Sequence, residues 1–202
     1  MRLILLYLLC LTHCALANPH VEIAPTKQYS AGPYGFSASK VTVDGIDLGY
    51  VEKDTGPQSF GPELLVYYAC DLSKPNEDFD GFCSEWKVFN IKTHQRSALK
   101  IPRFDSFTSI PNFVWPYVAY VETGEASNAK TRNVFCTVYD YQKRQVIKRI
   151  KETVSEDTFA TDYPGMFLKP DIATIGQKHF IRFYLDGAGD SPICAVSVTS
   201  KK

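Results

Sequence analysis

Histidine is almost missing from this chain, and with it most ways of building a hydrolytic centre. There are four in 202 residues, and His13 falls in a leader-like start, leaving His20, His94 and His179. No HExxH, GxSxG or glycine-rich phosphate loop occurs, which removes the usual zinc-protease, serine-hydrolase and nucleotide-binding arrangements. Cysteines are few and never spaced C-x2-C, so a zinc ribbon is excluded as well. Neither sign of charge is in excess, with 22 basic and 22 acidic residues. That balance argues against nucleic acid or an anionic membrane as partner. No stretch approaches the ~20 apolar residues of a membrane helix. Helical periodicity is poor throughout: only residues 152–161 suggest a short helix, ended by Tyr163, Pro164 and Gly165.

What is present begins with a targeting segment. Arg2, the apolar run 3–11 and the small-x-small triplet Ala15-Leu16-Ala17 read as a signal peptide over residues 1–17. A lipoprotein signal on Cys14 would need a small residue where His13 stands. The expected product is a single domain, 18–202, that is periplasmic or secreted. Its remaining cysteines are Cys70, Cys83, Cys136 and Cys194, an even set suited to two disulfides. Three connectivities are open. Cys70 and Cys83 flank one loop, while Cys136 and Cys194 hold matching places in two return strands, so those pairings are expected.

The fold class follows from a repeat. Residues 110–151 read as an apolar strand at 113–121, a long polar loop at 122–133, an alternating strand at 134–141, a tight turn and a third strand at 146–150. Residues 60–101 follow the same plan about 50 positions earlier, Val88-Phe89-Asn90 matching Val138-Tyr139-Asp140. A shortened copy occupies 168–199, and residues 35–51 form a hairpin turning at Asp44-Gly45. The chain is therefore expected to be all-β, built of antiparallel meanders. Strand, loop, strand ending in V-[FY]-[ND], turn and strand resembles the blade of a β-propeller. With material for about three blades, an open propeller or two packed sheets is implied.

Chemistry-bearing motifs are sparse. Residues 76–81 are rich in oxygen ligands but lack calcium-loop spacing, and Asp186 and Asp190 sit on a glycine-rich loop that is a poor mount for acid–base work. No metal, cofactor or catalytic residue is expected. The connection at 102–116 stands out, with Phe104, Phe107, Phe113 and Trp115 among Ser106, Thr108 and Ser109 and three stiffening prolines. Either these aromatics enter the core, or residues 104–109 (Phe104, Asp105, Ser106, Phe107, Thr108 and Ser109) form a protruding binding loop. Three classes survive: an exported binding or inhibitor protein, a carboxylate-dependent hydrolase, and a ligand-binding or adhesive module. The signal peptide, the four mature cysteines and the serine-rich loop make the chain similar to periplasmic immunity proteins against type VI secreted peptidoglycan amidases. That resemblance implies a partner, a cell-wall hydrolase toxin, whose cleft is blocked by an inserted loop.

Overall fold

The computed structural model describes residues 19–25, 27–31, 34–53, 55–71, 83–104, 109–128, 130–155, 169–185 and 191–199. The proposed signal peptide lies outside them. Fifteen strands and no helix are found among the described residues. They are β1 (Val21–Ile23), β2 (Lys27–Ala31), β3 (Tyr34–Val43), β4 (Ile46–Glu52), β5 (Gln58–Ser59), β6 (Leu64–Cys70), β7 (Cys83–Asn90) and β8 (Gln95–Ala98). There follow β9 (Asn112–Val114), β10 (Tyr117–Asn128), β11 (Thr131–Asp140), β12 (Gln145–Ser155), β13 (Asp171–Ile175), β14 (Lys178–Phe183) and β15 (Cys194–Thr199).

The strands form three antiparallel sheets. One has eight strands, ordered β1-β3-β4-β6-β7-β8 with β2 on β3 and β5 on β6; the others are ordered β12-β11-β10-β9 and β13-β14-β15. The largest sheet folds on itself. Among the described residues β4 pairs with β6 only at Tyr50–Cys70 and Val51–Ala69, so β1–β4 swing over the face of β5–β8. Val41, Val43, Leu48 and Val51 then pack on Leu65, Tyr67 and Phe89. The opposite face of β6 and β7, with Val66, Trp86 and Val88, packs on Val118, Tyr120 and Tyr139. Beyond that strand pair, Ala119, Val121, Val134, Cys136 and Val138 meet Ile181, Phe183, Cys194, Val196 and Val198. The result is four layers stacked face to face around three apolar cores.

This stacking explains the apolar run at the centre. In β10, Val118 and Tyr120 enter one core while Ala119 and Val121 enter the next, so the strand is apolar on both faces over this stretch. β14 and β15 cover one side only, and their burial alternates strictly. The all-β antiparallel fold expected from the sequence is thus present, with no sheet closed into a barrel among the described residues.

The repeat has a local physical cause. Asn90 Oδ1 accepts the Thr93 N–H at 2.9 Å and Asp140 Oδ1 accepts that of Lys143 at 2.8 Å. Each turn ends in a residue of positive φ, His94 at 56° and Arg144 at 55°. The Asn/Asp that closes V-[FY]-[ND] is therefore a turn cap that leads the strand into its hairpin.

Three expectations need correction. Residues 122–133 are not a long loop: β10 runs to Asn128 and β11 starts at Thr131, so they extend one hairpin. The run 113–121 is not one strand, because the chain reverses at the cis Trp115–Pro116 bond and β9 pairs back on β10. Residues 152–155 belong to β12 instead of a helix, held by pairing of Val154 with Arg132 and Thr153 with Asn133, while 156–161 lie outside the described residues. The 35–51 hairpin is present and turns at Asp44 (φ 49°) and Gly45 (φ 78°) as expected, within an additional layer that packs on β6 and β7.

The disulfides pair as expected. Cys70–Cys83 joins β6 to β7 at directly opposed positions, and Cys136–Cys194 ties the third layer to the fourth through their shared core.

Candidate functional site

The connection from layer two to layer three is clamped to a single strand. The Tyr120 hydroxyl donates to the Pro102 carbonyl at 2.7 Å. Phe104 meets the Tyr120 ring edge-on, with centroids 5.5 Å apart. Further along, the Val121 N–H donates to Ser109 Oγ at 3.2 Å, and Ser109 is fully buried. Both feet of the segment therefore rest on neighbouring residues of β10. Burial pushes the Tyr120 phenol far above its ordinary value, helped by the charge of Glu122, so it remains a donor at any physiological pH.

Of the six residues expected to contact a partner, the structure places two. Phe104 is half-buried against the second core, and Ser109 spends its hydroxyl on Val121. These two act as anchors of the loop in this fold, which differs from a role for Ser109 at the loop tip. Asp105, Ser106, Phe107 and Thr108 lie outside the described residues, as do the acidic loops 76–81 and 186–190.

Beside the anchors lies a polar cluster that sequence reasoning missed. Glu122 is 2% exposed, yet both its oxygens are occupied. Thr137 Oγ1 donates to Oε1 at 2.6 Å, and Arg149 Nε and Nη2 approach Oε2 at 3.0 and 2.8 Å. The Arg149 guanidinium also sits 3.5 Å over the Phe135 ring, a favourable stacking of cation on π-face. With both oxygens engaged and a cation fixed on one of them, this carboxylate is a structural strut and a poor proton shuttle. The available signal was alternation: Val118, Tyr120 and Glu122 share a face once β10 is read through residue 122.

His179 proves to be a core residue, as its setting in an apolar strand suggested. It is 6% exposed, its Nδ1 lies 2.9 Å from the Thr174 hydroxyl, and the Tyr117 ring meets it edge-on. Its Nε2 has no hydrogen-bond partner among the described residues. Burial lowers its pKa below the ordinary 6.5. The unfolded chain therefore takes up the proton first, so stability is full above about pH 6.5 and falls as pH drops toward the lowered folded value. Urea midpoints should decline from pH 7.5 to pH 5, and the decline should be shallower in His179→Phe. Equal slopes in the two proteins would exclude His179 as the cause.

No group of three or more histidine, cysteine, aspartate or glutamate side chains placed to hold a metal occurs among the described residues. No helix among them is long and apolar enough to cross a membrane. Comparison with family models, with curated proteins and with solved structures found no match to this chain.

Proposed function

We propose that this protein is an exported inhibitor that blocks a peptidoglycan-degrading enzyme with residues 105–108, in the manner of periplasmic immunity proteins. The observation that carries the reading is the clamping of both loop feet. Phe104 on one side and Ser109 on the other are held by the adjacent residues Tyr120 and Val121 of one central strand. A loop fixed at both ends loses less entropy on binding, which is how rigid inhibitors gain affinity. Two disulfides across the scaffold suit an oxidising compartment outside the cytoplasm.

In this reading, Phe107 is the aromatic anchor and Ser106 and Thr108 offer small hydroxyls to a narrow catalytic cleft. Anchors of this kind are worth about 2 kcal/mol when truncated, so Phe107→Ala should weaken the complex roughly thirtyfold or more. The experiment is a pull-down from a periplasmic extract containing cell-wall hydrolases, followed by titration of the retained enzyme. Retention of no enzyme, or equal binding by Phe107→Ala, would remove the loop reading. If the protein itself cleaves peptidoglycan and Asp186→Asn or Asp190→Asn abolishes that turnover, the carboxylate-hydrolase alternative replaces it.

A further inference from the structure

A groove of about 490 Å³ opens between β8 and the β11–β12 turn, within the usual range for small-molecule sites. Ser97 and Lys100 line it from layer two, and Trp115, Tyr139, Tyr141 and Arg144 from layer three. It lies at the Trp115–Pro116 end of β10, and neither Tyr120 nor Val121, which hold the loop feet, is among its lining residues.

The lining combines two kinds of group. Trp115 and Tyr141 are half-buried, and each is braced edge-on against Phe60 at 5.2 and 5.3 Å, so their rings are held in place. Lys100 and Arg144 are exposed cations with no ion pair among the described residues. No acidic side chain is among the described residues that line the groove, and Asp140 in the neighbouring turn is paired with Lys143.

Arg144 carries a second indication. It holds a left-handed backbone, φ 55°, where glycine would be unstrained. The matching residue of layer two, His94, has φ 56° and stacks on Phe89, with planes 2° apart. His94 thus has a packing partner on its own sheet, whereas Arg144 lines the groove. Its positive charge opposes the upward shift that burial gives the Tyr141 phenol, and both residues line the groove.

We propose that this groove binds a carboxylated sugar, with the apolar C–H face of the ring on Trp115 and Tyr141 and the carboxylate between Lys100 and Arg144. A bare inorganic anion would use the cations and leave the rings idle, and a neutral sugar would do the reverse. The Ser97 hydroxyl and Tyr139 phenol supply partners for ring hydroxyls. The proposal is independent of the inhibitor reading, since it uses a different part of layer three.

The test is a 15N NMR titration of the folded, disulfide-bonded protein with sodium glucuronate, glucose and adenosine monophosphate at matched ionic strength. Glucuronate should shift the Trp115 indole and the amides of residues 97–100 and 141–144. Glucose lacks the carboxylate that both cations would hold, so it should bind more than about tenfold more weakly, about tenfold being the value of a single charge-assisted contact. Arg144→Gly and Lys100→Gln should each weaken glucuronate by a similar factor. The former relieves the backbone while deleting the cation, and an otherwise unchanged spectrum would verify its fold. Equal binding of glucose, tighter binding of the nucleotide, unchanged affinity in both variants, or no shifts with glucuronate would each overturn the proposal.

Discussion

Arg149→Ala is expected to destabilise the protein by about 3 kcal/mol, since it would leave the Glu122 carboxylate buried without its counter-charge. The cost of stranding a buried ion runs from about 3 to 5 kcal/mol. The lower end applies because the Arg149 side chain is 32% exposed and water can enter the vacated space. Thr137 would remain, but one neutral hydroxyl compensates only part of a charge. The decisive comparison is a double variant. Glu122→Gln with Arg149→Ala removes the stranded charge and keeps an acceptor for Thr137, so it should recover more than ~1 kcal/mol over the single change. Urea denaturation of the parent and both variants gives the answer. A single variant within ~1 kcal/mol of the parent, or a double no better than the single, would show that the pair is not a strut.

The two disulfides should contribute unequally. Cys136 and Cys194 are 58 residues apart and Cys70 and Cys83 are 13 apart. Loop-closure entropy then assigns about 4 kcal/mol to the longer link and about 3 kcal/mol to the shorter. Burial widens the gap. Cys136 and Cys194 lie in the core between layers three and four, so replacing them by alanine also removes packed sulfur, whereas Cys70 and Cys83 are only half-buried. Guanidinium unfolding of Cys136→Ala/Cys194→Ala should therefore show the larger loss against Cys70→Ala/Cys83→Ala. Equal losses, or the reverse order, would contradict this ranking.

The parts of the fold legible in the sequence were those set by short-range rules. Asp44-Gly45 announces its hairpin through residues that accept positive φ, and the Asn90 and Asp140 caps mark equivalent turns. Cysteine pairing could be read because Cys136 and Cys194 occupy equivalent strand positions that meet across a core. What was not legible depended on distant neighbours. Glu122 looks like the start of a polar loop until Arg149, from the strand beyond β11, is placed against it. Likewise Trp115–Pro116 sits inside an apolar run whose two halves pair with each other, and composition alone does not mark that reversal. Ser109 resembled a tip hydroxyl among other small polar residues, and only the Val121 amide makes it an internal acceptor. The first layer was underestimated because its cover over Leu65, Tyr67 and Phe89 comes from a sheet bending at two residue pairs, and no local pattern encodes that bend.

Stacking four layers around three separate cores makes the molecule nearly one-dimensional in its energetics. Ala119, Val121, Ile181 and Phe183 belong to the core of the last two layers, and Val41, Val51 and Leu65 to that of the first two, so these sets share no layer. Damage in one of these cores reaches the other only through the middle one, built on Phe60, Trp86 and Tyr120. Substitutions at opposite ends should therefore act independently, while those in the middle core couple to both. Disulfide placement tips this linear array: the last layer is riveted to its neighbour by Cys136–Cys194, while β4 holds β6 by two residue pairs. Under stress the first layer is therefore expected to come away before the last, which the Cys136–Cys194 link keeps on its neighbour.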